Sequence, residues 1–526
     1  MEKIKPYLMI FITLFIITGC EDDFVDLKSR DDVPEALILN SSAGLEATMF
    51  QVFETARSVH ENMEISMYKQ CGTDLVKSGT NLVDVAAGGM LGMNEYNSGL
   101  SAVSGEISNI WDGYYESLNR CSRVIAAADI LEPETDSDVQ AFQRFKGEAS
   151  AMRAYLYLEL VERFDNIPLA TLLAPGEAPS SDAPLEEKSV IYDQIISDLN
   201  VAIELLQPRV NTTGVGAPSR GLAYHLLSKA YLDLGNWAEA AAAAEAVIAD
   251  ESYSLQPLDG IFGLEGGKTG EENNNEIILS WVFDPAIQNR AQRTSQMYVP
   301  LYDRINGVLR TMEAGGRAWS RLSPSEYYFS LFDEDDGRLQ AWHKLNWVFD
   351  DPDNLPAGKE IGDTVTVQDV IDQFGEGSIQ IRYIEPTVTK FWEDGTYGRT
   401  TGEAEGFRNI IVYRYSEAFL IGAEAHMRNG NMARALELIN TIRDRAFGDT
   451  NHRLTSLDEE ILLDEHAREL GHEGHRWAML KRLGLLQSRV QAHNPNAAPN
   501  IQPKNVRWPL PQAFVDLARV PQNEGY

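Results

Sequence analysis

The chain has 526 residues, 44% of them hydrophobic, which is ample for a large core, and it carries a formal net charge of −34. That field repels phosphate backbones and anionic bilayer surfaces, so it argues against nucleic acid as a partner and favours neutral ligands; a sulfated or uronic ligand would need a local basic patch. With three cysteines, Cys20, Cys71 and Cys121, there is room for at most one disulfide.

At the N-terminus, Lys3 and Lys5 precede an apolar run over 7–17 that is too short to span a bilayer, the pattern of a secretion signal over residues 1–19. The run ends in Ile17-Thr18-Gly19-Cys20, which resembles a bacterial lipoprotein cleavage box with Cys20 as the acylated first residue. Glu21-Asp22-Asp23 then resembles a tag for export to the outer face of an outer membrane. No later stretch approaches the roughly 20 apolar residues of a membrane helix. The expectation is therefore a body anchored to the outer membrane through acyl chains at Cys20 and facing the exterior. Whether Cys71 and Cys121 pair is left open by the sequence.

Helical periodicity dominates the rest. Over 145–164, Ala149, Met152, Leu156 and Leu160 recur at three- and four-residue spacing until Asn166-Ile167-Pro168 stops the pattern. Similar stretches cover 107–128, 190–206, 221–234, 237–249, 413–427, 433–445 and 458–483. Two of them repeat a motif 195 residues apart: Ala230, Gly235, Asn236, Ala238 and Ala240 fall in register with Ala425, Gly430, Asn431, Ala433 and Ala435. Both read as helix, Gly-Asn turn, helix, the tetratricopeptide pattern, whose pairs bury their apolar faces only by stacking. Between the copies, 251–408 is rich in Gly, Asp, Asn and aromatics, with short strand-like runs such as 276–281. The fold class expected is mainly α: a tetratricopeptide-like superhelical scaffold over about 107–250 and 409–486, a large irregular insertion with short strands over 251–408, and a tail over 487–526, forming one domain from residue 20.

Several segments resemble the SusD/RagB family. They are Phe145-Lys146-Gly147-Glu148-Ala149 through Arg153-Ala154-Tyr155 to the Asn166-Ile167-Pro168 turn; Tyr413-Arg414-Tyr415-Ser416-Glu417 with Ala423-Glu424-Ala425; Glu465 with Arg468-Glu469-Leu470 and Arg476-Trp477; and the ending Trp508-Pro509-Leu510-Pro511 with Gln522-Asn523-Glu524-Gly525-Tyr526. His466 and Met479 depart from the family pattern, where arginine and aspartate are usual, which puts a local salt-bridge network in doubt. The resemblance implies a surface lipoprotein that lids a SusC-like, TonB-dependent transporter and delivers oligosaccharide to it, by binding and not by bond cleavage.

A sugar site needs flat rings for stacking and polar groups for directional hydrogen bonds. The insertion is under a third of the chain yet holds five of nine tryptophans: Trp281, Trp319, Trp342, Trp347 and Trp392. Trp319, beside Gly315-Gly316, is the leading candidate, with Trp281 and Trp392 in support. A second loop, 75–99, offers Asn94 and Tyr96, with Asp74 just ahead of it. Trp111, Trp237, Trp477 and Trp508 read as packing. Gly266-Gly267-Lys268-Thr269 lacks the spacing of a phosphate loop, and His466, His472, His475, Glu469 and Glu473 miss the metalloprotease spacing, so they read as a solvated charged helix face. Asp333-Glu334-Asp335-Asp336 reads as a solvated turn. Two other functions stay open: a glycoside hydrolase, because 79 acids make some suitable carboxylate pair inevitable, and a protein-binding scaffold without ligand.

Overall fold

The structure is a computed structural model that describes residues 39–63, 65–81, 89–170, 183–209, 212, 216–262, 274–286, 291–395 and 398–526. The signal segment, Cys20, the acidic tag and Gly266 to Thr269 lie outside these residues.

Ten helices frame the fold: α1 (Ser42–Arg57), α2 (Gly105–Ile130), α3 (Asp136–Phe164), α4 (Lys188–Leu205), α5 (Arg220–Leu234), α6 (Trp237–Ile248), α7 (Tyr415–Arg428), α8 (Met432–Phe447), α9 (Glu459–Leu470) and α10 (Arg476–Arg482). Their starts are written in the sequence. Ser41, Ser219, Asn431 and Asp458 each accept a hydrogen bond from a backbone N–H of the first turn, and Thr135 with Asp138 forms a capping box that begins α3 well before residue 145. Helix α1, which no periodicity signalled, packs on α2 and α3.

Consecutive helices pack in a row from α1 to α8, and the odd-numbered ones also touch one another, giving two layers with α1, α3, α5, α7 and α9 in one and α2, α4, α6 and α8 in the other. The two repeat copies are equivalent in detail. Gly235 and Gly430 take positive φ of 74° and 83°, and Asn236 and Asn431 donate their backbone N–H to Tyr231 and His426 oxygens at 2.9 and 2.8 Å. Separated in sequence, they are neighbours in space, because α6 packs directly on α7. Gly422 on α7 sets the spacing to α8 as well: a Cβ there would stand 2.8 Å from Leu438 Cδ1.

The insertion leaves and returns through one strand pair, β2 (Ile277–Trp281) antiparallel to β6 (Ile410–Arg414), so residues 413 and 414 are strand and not helix. A second pair, β1 (Val76–Ser78) with β3 (Leu322–Pro324), ties it to the N-terminal part, and β4 (His343–Lys344) with β5 (Thr387–Val388) joins two of its own segments. It has a small core of its own, in which Tyr302, Trp347, Phe349 and Trp392 pack together.

The expected helix over 458–483 is broken after Leu470, with His472 and Gly474 at positive φ. The histidines there are a correction: His466, His472, His475, Glu469 and Glu473 are all buried rather than solvated. Among the described residues no group of three or more His, Cys, Asp or Glu could hold a metal ion. Asp336 is likewise buried, paired with Arg338 at 2.7 Å, while Glu334 and Asp335 stay exposed. Cys71 and Cys121 are both buried free thiols.

What holds the insertion to the helices is a buried ion network. Arg414 Nη1 reaches Glu276 at 2.9 Å and Glu469 at 2.5 Å, and its Nε reaches Glu473 at 2.7 Å. Arg338 bonds Glu465 and Glu469, Arg443 bonds Glu465, and Lys390 bonds Glu473. Burial alone would raise the Glu469 carboxyl, but Arg445, Arg414 and Arg338 hold it well below the usual carboxylate range. The network thus forms in spite of histidine at 466.

Candidate functional site

The structure joins the two loops that the sequence offered as separate candidates. Beyond the β1/β3 pair, Gly79 and Asn81 donate backbone N–H groups to the Arg321 and Ser320 oxygens at 2.9 and 3.1 Å. Ser320 Oγ accepts from Thr80 N and Thr80 Oγ1. Ser320 is held at φ 47°, a left-handed conformation unusual for a residue with a side chain. Before it, Gly315 and Gly316 turn the chain at φ 98° and 69°. A Cβ on Gly315 would lie 2.9 Å from the Trp392 ring, so only glycine fits this turn.

This turn presents Trp319. Its indole is half-buried, and its Nε1 has no hydrogen-bond partner. The Arg317 guanidinium lies 4.6 Å from the ring centroid and that of Arg321 5.5 Å. Arg399 comes in from the other side of the turn, its Nη1 3.5 Å from where a Gly316 Cβ would stand. Arg399 is 3% exposed; its Nη2 donates to the Glu403 oxygen at 3.3 Å, while Nε and Nη1 have no partner. Burial lowers its pKa, with Arg317 adding to the effect and Glu393 and Glu403 opposing it. The result is an aromatic face framed by arginines, with unused donors beside it.

The other candidates are interior, which corrects their expected exposure. Asp74 is fully buried and bonds Arg476 twice, at 2.9 and 2.7 Å, with Arg489 at 3.3 Å. Asn94 accepts from Gly72 N and donates to Ser78 Oγ. Tyr96 donates to the Gly72 oxygen at 2.5 Å and accepts from Trp477 Nε1 at 3.0 Å. Trp281 packs edge-on against Tyr155 in the main core, and Trp392 against Trp347 in the insertion's core. Trp342 and Trp347 are buried as well. The physical reason is common to them: the insertion is a packed lobe, so most of its aromatics fill it. Trp111, Trp477 and Trp508 are core residues as expected, and Trp237 is partly buried beneath Arg428. The arginines around Trp319 were missed, although Arg317-Ala318-Trp319-Ser320-Arg321 places a cation two residues to either side of the ring, a legible signal in so acidic a chain.

Two cavities among the described residues, of about 40 and 20 Å³, are too small for a sugar. The larger, between α5, α7, α9 and α10, is lined by Lys229, Glu417, His466, His475 and Arg482 and has space for a few waters. No helix among the described residues is long and apolar enough to cross a membrane.

Comparison with known proteins agrees along the chain. Residues 382–526 match the SusD family, and residues 23–232 match a family described as starch-binding, associating with outer membrane. SusD-like protein P2 of Formosa agariphila is 24% identical over 540 aligned positions, 99% of this chain and 100% of its own. The starch-binding protein SusD of Bacteroides thetaiotaomicron is 24% identical over 437, covering 76% of this chain and 75% of its own. Among solved structures, a laminarin binding SusD-like protein superposes with a TM-score of 0.71 at 22% identity, over 93% of this chain and all of that one. Sequence profiles at both ends, full-length relatives and a shared, mainly helical fold lead to one assignment: the chain belongs to the SusD/RagB family.

Proposed function

We propose that the protein binds oligosaccharide or polysaccharide at the cell surface, with Trp319 as the stacking platform, and passes it to a SusC-like, TonB-dependent transporter while anchored to the outer membrane through acylated Cys20. The observation that carries this reading is the partly buried Trp319 ring, set on a glycine turn locked from two sides and flanked by arginines. An indole face takes the C–H side of a sugar, and guanidinium groups take its hydroxyls or charged substituents. That relatives are named for binding starch and laminarin supports the ligand class.

Binding without cleavage is favoured over hydrolysis by the state of the acids. A glycosidase needs one carboxyl held protonated next to substrate and a second facing it. Here Glu465, Glu469, Glu473 and Asp74 are spent on arginine and lysine, and Glu148, pushed up to about 7 by burial, lies on α3 away from the Trp319 turn. Calorimetric titration against a polysaccharide panel, with reducing ends assayed in the same samples, tests the proposal. Heat of binding with no new reducing ends is expected; steady release of reducing ends would replace it with the hydrolase reading.

A further inference from the structure

Among the described residues most buried arginines face carboxylates: Arg153, Arg338, Arg414, Arg443 and Arg476 each bond at least one, while Arg163 is enclosed by the Tyr68, Trp477 and Trp508 rings. The group at the Trp319 turn differs. Arg317 makes no hydrogen bond or ion pair with a described residue and lies over the indole. Arg399, although buried, uses only one of its three guanidinium nitrogens. Acids lie nearby, but none forms an ion pair with Arg399: Glu405 pairs with Arg293 at 2.5 Å, Glu393 accepts from Phe407 N at 2.9 Å, and Glu403 accepts from Thr400 N at 2.6 Å.

Burying guanidinium donors without partners is costly, and the cost is removed when an anion supplies the missing acceptors. Two cations with unused donors, one on the turn and one packed against it, stand out in a chain of net charge −34. The guanidinium fork fits a planar carboxylate or the oxygens of a tetrahedral oxyanion in bidentate fashion.

We infer that Arg317 and Arg399, beside the Trp319 ring, receive an anionic substituent of the glycan, a uronate carboxylate or a sulfate ester, while the indole stacks on the sugar that bears it. This rests on the glycan-binding reading above and narrows its substrate class. The acidic body repels polyanions in general, so an anionic glycan is held only where this turn reads it.

The test is affinity electrophoresis at low salt in gels containing a neutral glucan, alginate, polygalacturonate or a sulfated galactan, run with the wild type, Arg317→Gln, Arg399→Gln and the double variant. Retardation by at least one anionic polymer is expected. Each single substitution should weaken it about tenfold, the loss of one charge-assisted contact, and 0.5 M salt should weaken it in the wild type. Whether the uronic or the sulfated gels retard the protein identifies the anion. Retardation by the neutral glucan alone, or retardation by an anionic polymer that survives the double substitution, overturns the inference and leaves glycan binding standing. No retardation in any gel removes both.

Discussion

Thr80 donates its backbone N–H and its hydroxyl to Ser320 Oγ, at 3.1 and 2.9 Å, across 240 residues of sequence. The junction braces the residue after Trp319 from one side, opposite the Val299 oxygen that accepts from the Trp319 and Ser320 N–H groups, and Gly79 beside it fits closely against Ser320. A Cβ on Gly79 would stand 2.0 Å from the Ser320 oxygen. Gly79→Ala is therefore expected to cost about 1–3 kcal/mol through overpacking against backbone that cannot move aside, and to weaken glycan binding together with stability. Urea denaturation and calorimetric titration of the same sample check it; an unchanged midpoint with unchanged affinity would mean the junction is not what holds the platform.

Arg414 has no exposure and bridges Glu276 of the insertion to Glu469 at the end of α9 and Glu473 just beyond it. Arg414→Met removes the cation and leaves Glu276, Glu469 and Glu473 less compensated in the interior. The expected loss is about 3–5 kcal/mol, the usual cost of breaking a buried pair from one side. Denaturant unfolding reads it directly, and a loss below 1 kcal/mol would show that the network adds nothing to the joint between insertion and helices.

Tyr96 and Asp74 serve as a contrast to Trp319. Tyr96→Ala opens a cavity and strands Trp477 Nε1, and Asp74→Asn takes the counter-charge from Arg476 and Arg489. Both should lower stability, Tyr96→Ala by about 3–5 kcal/mol, without a specific loss of affinity in the protein that remains folded. Thermal melts and titrations at a temperature where each variant is native separate the two effects; weakened binding by well-folded protein would return Tyr96 to the site.

The pH dependence follows from buried imidazoles. Burial holds His60 down to about 4 and both His343 and His466 down to about 3, against about 6.5 when unfolded. Below that pH the unfolded chain takes up protons that the native state refuses, so stability falls as pH drops from 6.5 toward 3. Glu465 adds to the loss below its unfolded value near 4.5: burial raises it, but Arg338, Arg468 and Arg443 hold it down to about 2. Glu148, raised to about 7, acts in the opposite sense, costing stability as pH rises from 4.5 to 7. Tm measured by scanning calorimetry should fall on acidification below pH 6, and His466→Leu, which removes one titration, should flatten that fall. An identical slope in the variant would contradict the assignment.

How much of this was legible beforehand depended on which forces left a local trace. The helices α2 to α8 announce themselves by spacing, and the Gly235-Asn236 and Gly430-Asn431 turns mark equivalent pairs because the left-handed cap demands glycine. That α6 would pack on α7 could be inferred from the repeat, since neither pair buries its face alone. The burial of Trp281 and Trp392 could not, because an aromatic in a stretch without period looks the same whether it fills a small core or faces solvent. The histidines of 466–475 misled for a similar reason: their charged neighbours Glu465, Glu469 and Glu473 read as a wet surface until Arg338, Arg414 and Lys390, contributed by the distant insertion and strand β6, neutralise them. The Thr80 to Ser320 junction left no trace at all, being a contact between two irregular loops.

The most direct test is the affinity of Trp319→Ala, set beside the wild type in calorimetric titrations with the glycan that the panel identifies. The ring is partly buried against the edge of the main core, so the variant should fold with a lowered Tm and, at a temperature where it is native, bind at least tenfold more weakly, the loss of one stacked indole at about 1–3 kcal/mol. Full affinity in a folded Trp319→Ala protein would contradict the placement of the glycan on this turn.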